Sequence, residues 1–176
     1  MKFDMTVVRT AYASPHGPII LAATAQGLAG IWFEGQRHQP DLSGWPVDDQ
    51  HPVLRQAVRQ LDEYFAQERT AFDLALDLRG GTAFQQAVWQ ALRAIPPGQT
   101  RSYGEISRRI GKPRAVRAVG AAVGRNPVSI VVPCHRVMGA DGSLTGYAGG
   151  LDRKTALLAL EGAGPGRPAT VQEQRP

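Results

Sequence analysis

Residues 102–124 read SYGEISRRIGKPRAVRAVGAAVG. Ser102 can cap a helix start, and Glu105 stands three residues on, the spacing of a capping box. Gly111 ends that short helix. Pro113 suits the opening of a second one, which runs through RAVRAVGAAV. Helix, tight glycine turn, helix, with basic residues throughout, is the outline of a helix-turn-helix. The second helix carries Ala115, Ala118, Gly120, Ala121, Ala122 and Gly124. Such small residues let it approach a partner closely, either another helix or DNA. Arg114, Arg117 and Arg125 stand at its margins, where they can contact phosphates or occupy space that a base has left.

Charge points the same way. The chain carries a net charge of +5. Residues 1–82 hold 7 Lys/Arg against 10 Asp/Glu, net −3, and residues 83–176 hold 13 against 5, net +8. Between 93 and 125 stand eight basic residues and one acid, Glu105. A basic face can simply be solvated, but a run this one-sided favours nucleic acid. With 43% hydrophobic and 20% charged residues, the chain has an ordinary globular composition. No apolar run approaches the roughly 18 residues of a membrane span. The opening MKFDMTVVRT lacks the pattern of a secretory signal. One cysteine in 176 residues cannot form an internal disulfide, so a cytoplasmic location is expected. Nor can it supply a zinc site that needs two thiolates.

Upstream, Thr82 can cap a helix through AFQQAVWQALRAI that stops at Pro96-Pro97-Gly98. RGGT at 79–82 breaks the chain, and a domain boundary is placed near residue 80. Before it, MTVVRTAY, PIILAAT and LAGIWF are β-branched or apolar runs separated by the turn chemistry of SPHG and AQG. They predict a small antiparallel sheet. Residues 35–51 read as a loop, and PVLRQAVRQLDEYFAQ has helical spacing. AFDLALDL alternates from Phe72 to Leu78 and predicts a strand. The fold class is α/β in the α+β sense. Residues 1–80 form a β-rich domain with a helix, and residues 81–163 a mostly helical domain with the helix-turn-helix. Residues 164–176 are expected to be a disordered tail.

Downstream lies RNPVSIVVPCHRV, residues 125–137. Val128–Val132 is apolar and β-branched and predicts a buried strand, which Pro133 stops. That leaves the sole cysteine, Cys134, on a rigid base. A lone cysteine is often a buried spectator. To react it needs a base or positive charge close by. His135 and Arg136 are next in sequence, but adjacent side chains in an extended segment point apart, so a bridging water or a turn would have to couple them. A histidine base also needs an acceptor to orient it. Carboxylates in this half are few: Glu105, Asp141, Asp152, Glu161 and Glu173. A glycine-rich loop spans 139–150, and DRKTALLALEG predicts a final helix capped by Asp152.

IVVPCHRV, with RAVG at 117–120 and GYAGG at 146–150, resembles the O6-alkylguanine-DNA alkyltransferases, also called methylated-DNA–protein-cysteine methyltransferases. The resemblance is strong over residues 82–163, and in layout only before that. Alkyltransferase-like proteins on the same scaffold lack the cysteine, so Cys134 argues against that branch. The resemblance implies direct DNA repair: Cys134 accepts the alkyl group from O6-alkylguanine, irreversibly and once per protein. His135 is then the base, acting through a water, Glu161 orients it, and Asn126 fixes the cysteine segment against the helix-turn-helix. The nucleotide must be flipped out of the duplex. Arg117 is implied to fill the gap, and Tyr103 to aid flipping and donate to the guanine ring. Tyr147 would wall the pocket, and the carbonyls of Cys134 and Val137 would read the exocyclic amine. Binding through the minor groove suits small residues such as Ala118.

Two departures stand out. Ala148 follows the pocket tyrosine where some members have a serine that donates to O6, so a backbone N–H of the 148–150 loop must serve or the donor is missing. The structural zinc site of some members is absent for want of cysteines, and His16, His38 and His51 read as surface histidines. The resemblance implies no cofactor and no metal. The partner is double-stranded DNA carrying alkylated guanine, with no membrane. The protein is expected to act as a monomer, with cooperative binding on DNA and activity on O4-alkylthymine left open. Two other readings stand beside this one: a non-catalytic lesion-binding module indifferent to Cys134, and a cysteine hydrolase using Cys134 and His135.

Overall fold

In the computed structural model, which describes residues 6–163, three antiparallel strands come first. They are β1 (Val8–Ser14), β2 (Gly17–Thr24) and β3 (Gly27–Phe33), in the order β1-β2-β3. Each connection is a tight turn. Val8 pairs with Ala23 and Ser14 with Gly17, while Ile19 pairs with Phe33, with a bulge at Ala22/Ala23. Helix α1 (Pro52–Phe65) follows, with Leu54, Ala57, Leu61 and Tyr64 turned inward.

The second half is built of helices held by reciprocal caps. Thr82 and Gln85 form a capping box at the start of α2 (Ala83–Arg93). Ser102 and Glu105 form another at the start of α3 (Tyr103–Arg109), each exchange worth about 1 kcal/mol. Gly111, at φ +70, makes the turn out of α3 at no steric cost. The Ser107 hydroxyl donates to the Lys112 carbonyl and closes that turn. Helix α4 (Val116–Gly124) then packs on α2, where buried Trp89 donates Nε1–H to the Ala122 carbonyl at 2.9 Å. The helix starts at Val116 rather than at Pro113, because Lys112–Ala115 is spent on a turn closed by the Ala115 N–H on the Lys112 carbonyl at 2.8 Å. The last helix is α5 (Leu151–Leu160). Asp152 lies in its first turn and does not cap it; the cap position is Gly150, with no side-chain bond.

Two predicted strands are not formed. From Phe72 to Leu78 a single parallel bridge, Leu28 to Leu76, is all that pairs. The Leu28 N–H donates to the Ala75 carbonyl and the Asp77 N–H to the Leu28 carbonyl, both at 2.8 Å. A Cβ on Gly27, at φ +145, would sit 2.4 Å from that Ala75 oxygen, so glycine is what admits this close crossing. Residues 128–132 likewise make one bridge, Val128 to Ile31, and then turn, with Ile130 at φ +73. Their polar groups are met by tight turn bonds within the segment and by one side chain, instead of by a ladder.

That second bridge positions the site. The Ile31 N–H donates to the Pro127 carbonyl at 2.8 Å and the Ser129 N–H to the Ile31 carbonyl at 3.1 Å, so the free edge of β3 holds the segment that carries the cysteine. A second tie is the two-residue parallel pair of β4 (Arg101–Ser102) with β5 (Val137–Met138). It ties the start of α3 to the residues just after Cys134. One buried apolar cluster runs through both halves, from Ile19 and Leu61 to Val128 and Leu157. Among the described residues no helix is long and apolar enough to cross a membrane. The expected tail, residues 164–176, lies outside the described residues.

Candidate active site

Cys134 opens a single 3-10 turn, Cys134–Arg136, between the turn at 128–132 and β5. Asn126 builds the seat beneath it. Its Oδ1 accepts from the Val128 N–H at 3.0 Å. Its Nδ2 donates to the Val132 carbonyl at 2.7 Å and reaches Cys134 Sγ at 3.1 Å. One buried amide thus joins the turn bonds of the segment in place of the missing strand ladder, is the partner of the Val128 N–H, and touches the sulfur. Cys134 is buried, at 4% exposure. Burial pushes its thiol up, against the Asn126 bond and the charge of Lys154, which pull it down. The resting sulfur is therefore a thiol, and a thiolate must be made on demand.

Behind the cysteine lies a buried polar cluster. His135 Nε2 stands 2.9 Å from Glu161 Oε1. Arg136 donates through Nε to Oε2 and through Nη2 to Oε1, both at 2.8 Å. The Tyr64 hydroxyl donates to Oε1 at 2.7 Å. Burial alone would raise the Glu161 carboxyl, but the bonds from His135 and Arg136 overcome it and hold it at about 2. An ionised carboxylate only accepts, so His135 carries its proton on Nε2 and leaves a lone pair on Nδ1. Burial lowers the imidazole, with Glu161 opposing, which keeps it neutral. Nδ1 has no hydrogen-bond partner among the described residues. A neutral imidazole with its tautomer fixed by a carboxylate is a base held ready.

Cys134 forms part of the wall of an open cavity of about 380 Å³, together with Tyr103, Val123, Tyr147 and Ala148. Four of the residues singled out from sequence, Tyr103, Cys134, Tyr147 and Ala148, therefore face one space, and Arg125 joins them at its margin. Arg114, Arg117 and Ala118 lie instead on the exposed outer face of the helix-turn-helix. Val137 is fully buried and does not line the cavity; its carbonyl accepts from Lys154 Nζ at 2.5 Å. Lys154 also donates to the Thr145 carbonyl at 2.8 Å, and burial brings its ammonium down to about 8.

Sequence reasoning missed Tyr64, Lys154 and the pairing of Arg136 with Glu161. A signal existed for one of them. Lys154, Leu157, Leu158 and Glu161 fall at i, i+3, i+4 and i+7, so both charges share the apolar stripe of α5. Charges on such a stripe are either paired or misplaced. The wall contributed by the first half, Arg37 and His38, was also missed. His38 is exposed at this rim, whereas His16 and His51 are half-buried.

A helix-turn-helix set beside a buried thiol with a histidine–carboxylate pair behind it defines the class: a DNA-binding fold with a nucleophile in it. The comparisons are specific. The 6-O-methylguanine DNA methyltransferase ribonuclease-like domain matches residues 7–78, and the DNA binding domain of the same description matches residues 83–163. A methylated-DNA–protein-cysteine methyltransferase of Mycolicibacterium paratuberculosis is 54% identical over 148 residues, 84% of this chain and 88% of its own length. One from Methanosarcina acetivorans is 50% identical, covering 86% of this chain and 96% of itself. The crystal structure of the Mycobacterium tuberculosis O6-methylguanine methyltransferase superposes with a TM-score of 0.81 at 51% identity, over 93% of this chain and 96% of that one. That of Mycobacterium tuberculosis OGT in complex with DNA gives 0.79 at 51% identity, over 89% and 94%. The chain belongs to the 6-O-methylguanine DNA methyltransferase family.

Proposed function

We propose that this protein repairs alkylated DNA directly, moving the alkyl group of O6-alkylguanine onto Cys134. The observation that carries the reading is the hydrogen-bonded seat of the sulfur: a buried thiol under Asn126, opening on a cavity, with a neutral His135 held by Glu161. The flipped nucleotide enters the cavity between Tyr103 and Tyr147. His135 Nδ1 takes the thiol proton through a water. Sulfur then bonds to the alkyl carbon, and the bond from that carbon to O6 breaks with its electrons going to guanine. Tyr103 donates a hydrogen bond to the ring as charge develops there, and the guanine anion takes up a proton from solvent while His135 releases the one it took. Arg117 fills the vacated stack, Arg114 and Arg125 hold phosphates, and Ala118 permits approach through the minor groove. The carbonyl of Cys134, which lines the cavity, reads the exocyclic amine, while that of Val137 is held by Lys154 outside it. A thioether is a poor leaving group, so each protein reacts once.

The separate matches at 7–78 and 83–163 support two structural units meeting near residue 80, the second carrying the chemistry. We place the protein in the cytoplasm, acting as a monomer, where a reducing medium keeps its one thiol free. The test is the intact mass of the protein after mixing with an equimolar duplex that carries one O6-methylguanine. One methyl group gained, mapped to Cys134 and stopping there, is the expected result. DNA bound with no mass gain would make this a lesion-binding module, and repeated turnover would make it a hydrolase.

A further inference from the structure

We propose that Tyr64, in the first half of the chain, is a positioning residue that sets the basicity of His135 through Glu161. The proposal rests on the reading of His135 as the base for Cys134. Tyr64 lies on α1, 97 positions before Glu161, and its hydroxyl donates to Glu161 Oε1 at 2.7 Å. That oxygen is the one bonded to His135 Nε2. The tyrosine is 3% exposed, so the bond is made away from water. Its ring is fixed by Phe65 and Phe72, both with centroids 5.3 Å away.

The groups that face the pair are Tyr64 from α1, Arg136 from the 3-10 turn, Lys154 from α5 and the Cys134 thiol. Arg136 holds both carboxylate oxygens and keeps Glu161 ionised. Tyr64 has a different effect. A phenol donating to Oε1 withdraws part of the charge that would otherwise stabilise a protonated His135. Without it, Oε1 leans harder on the imidazole, and His135 becomes a stronger base that is protonated at higher pH. A bond between N-terminal helix and C-terminal relay thus trims the base so that it stays neutral when the thiol proton must be taken.

Tyr64→Phe removes the hydroxyl and keeps the ring packing. Two measurements on the full chain test the proposal. The first is the pH dependence of Cys134 alkylation by free O6-benzylguanine, which needs no DNA. The acid limb should move up by about half a unit in the variant, the fraction of a charge-assisted hydrogen bond that reaches the imidazole. The second is the histidine titration by NMR with His135 assigned, where the same upward shift should appear. The NMR titration reads the link even if Cys134 accepts no alkyl group, so the two readings fail separately. An unmoved limb and unmoved titration would overturn the proposal. So would a rate lowered equally at every pH, since that is what loss of packing alone produces.

Discussion

Replacing Asn126 by alanine should damage stability and chemistry together, and the structure says by how much. Four groups lose a partner, three on the backbone and the sulfur of Cys134, and they are not equivalent. The Val132 carbonyl keeps the Cys134 N–H at 2.8 Å, and the Val128 carbonyl keeps the Val132 N–H at 2.9 Å. Among the described residues the Val128 N–H has only Asn126 Oδ1, and Val128 is fully buried. One orphaned donor costs about 1–3 kcal/mol, and the lost bond to Val132 about another 1. The sum, about 2–4 kcal/mol, should lower the melting temperature by roughly 5–15 °C for a domain of this size. Urea unfolding should show the midpoint falling with the slope unchanged. In the same variant the sulfur loses the one side-chain donor it has among the described residues, so its thiol rises further and alkylation by free O6-benzylguanine slows. A loss under about 1 kcal/mol would mean that the 126–134 turn finds its partners elsewhere and that Asn126 is not what satisfies the Val128 N–H.

Arg117→Ala should slow repair in duplex DNA about tenfold or more, as expected if it fills a gap that costs a few kcal/mol to leave empty. Reaction with free O6-benzylguanine should be untouched, and equal loss in both assays would remove Arg117 from flipping. Glu161, held at about 2 against an ordinary 4.5, contributes stability that is complete above the ordinary carboxylate range and drains away as pH falls towards 2. Acid unfolding of Glu161→Gln should therefore be the shallower of the two, starting from a lower neutral-pH stability and a less reactive Cys134. Parallel curves would show that the carboxylate is not what the acid titrates.

Local rules made the helix-turn-helix legible. The cap at Thr82, the box at Ser102 and the stop at Gly111 are decided within a few residues, and the structure places them as read, adding a reciprocal bond from Gln85 at Thr82. The failures share a cause. Residues 72–78 and 128–132 have strand-like side chains, but each meets only the edge of β3, and at one point. Pairing is a property of two segments, and the sequence of one cannot show that its neighbour is Gly27 or that Asn126 will satisfy its backbone. Within the site, Asn126, Cys134, His135 and Glu161 were found by motif and do come together. Tyr64 was unreadable because the contact that gives it meaning spans 97 positions, and its spacing in α1 looks like that of any core residue.

The bond between Tyr64 and Glu161 also has a consequence for how the protein is made. Synthesis runs from the N-terminus, so Cys134 leaves the ribosome before the carboxylate at 161 does. Until α5 is out and docked, the nascent chain has a cysteine without a tuned base. Contacts of such long sequence separation form late and slowly. If Glu161 orients the base as proposed, a single-use reagent is kept inert while incomplete, and a chain truncated before residue 161 is expected to carry the sulfur without the means to spend it.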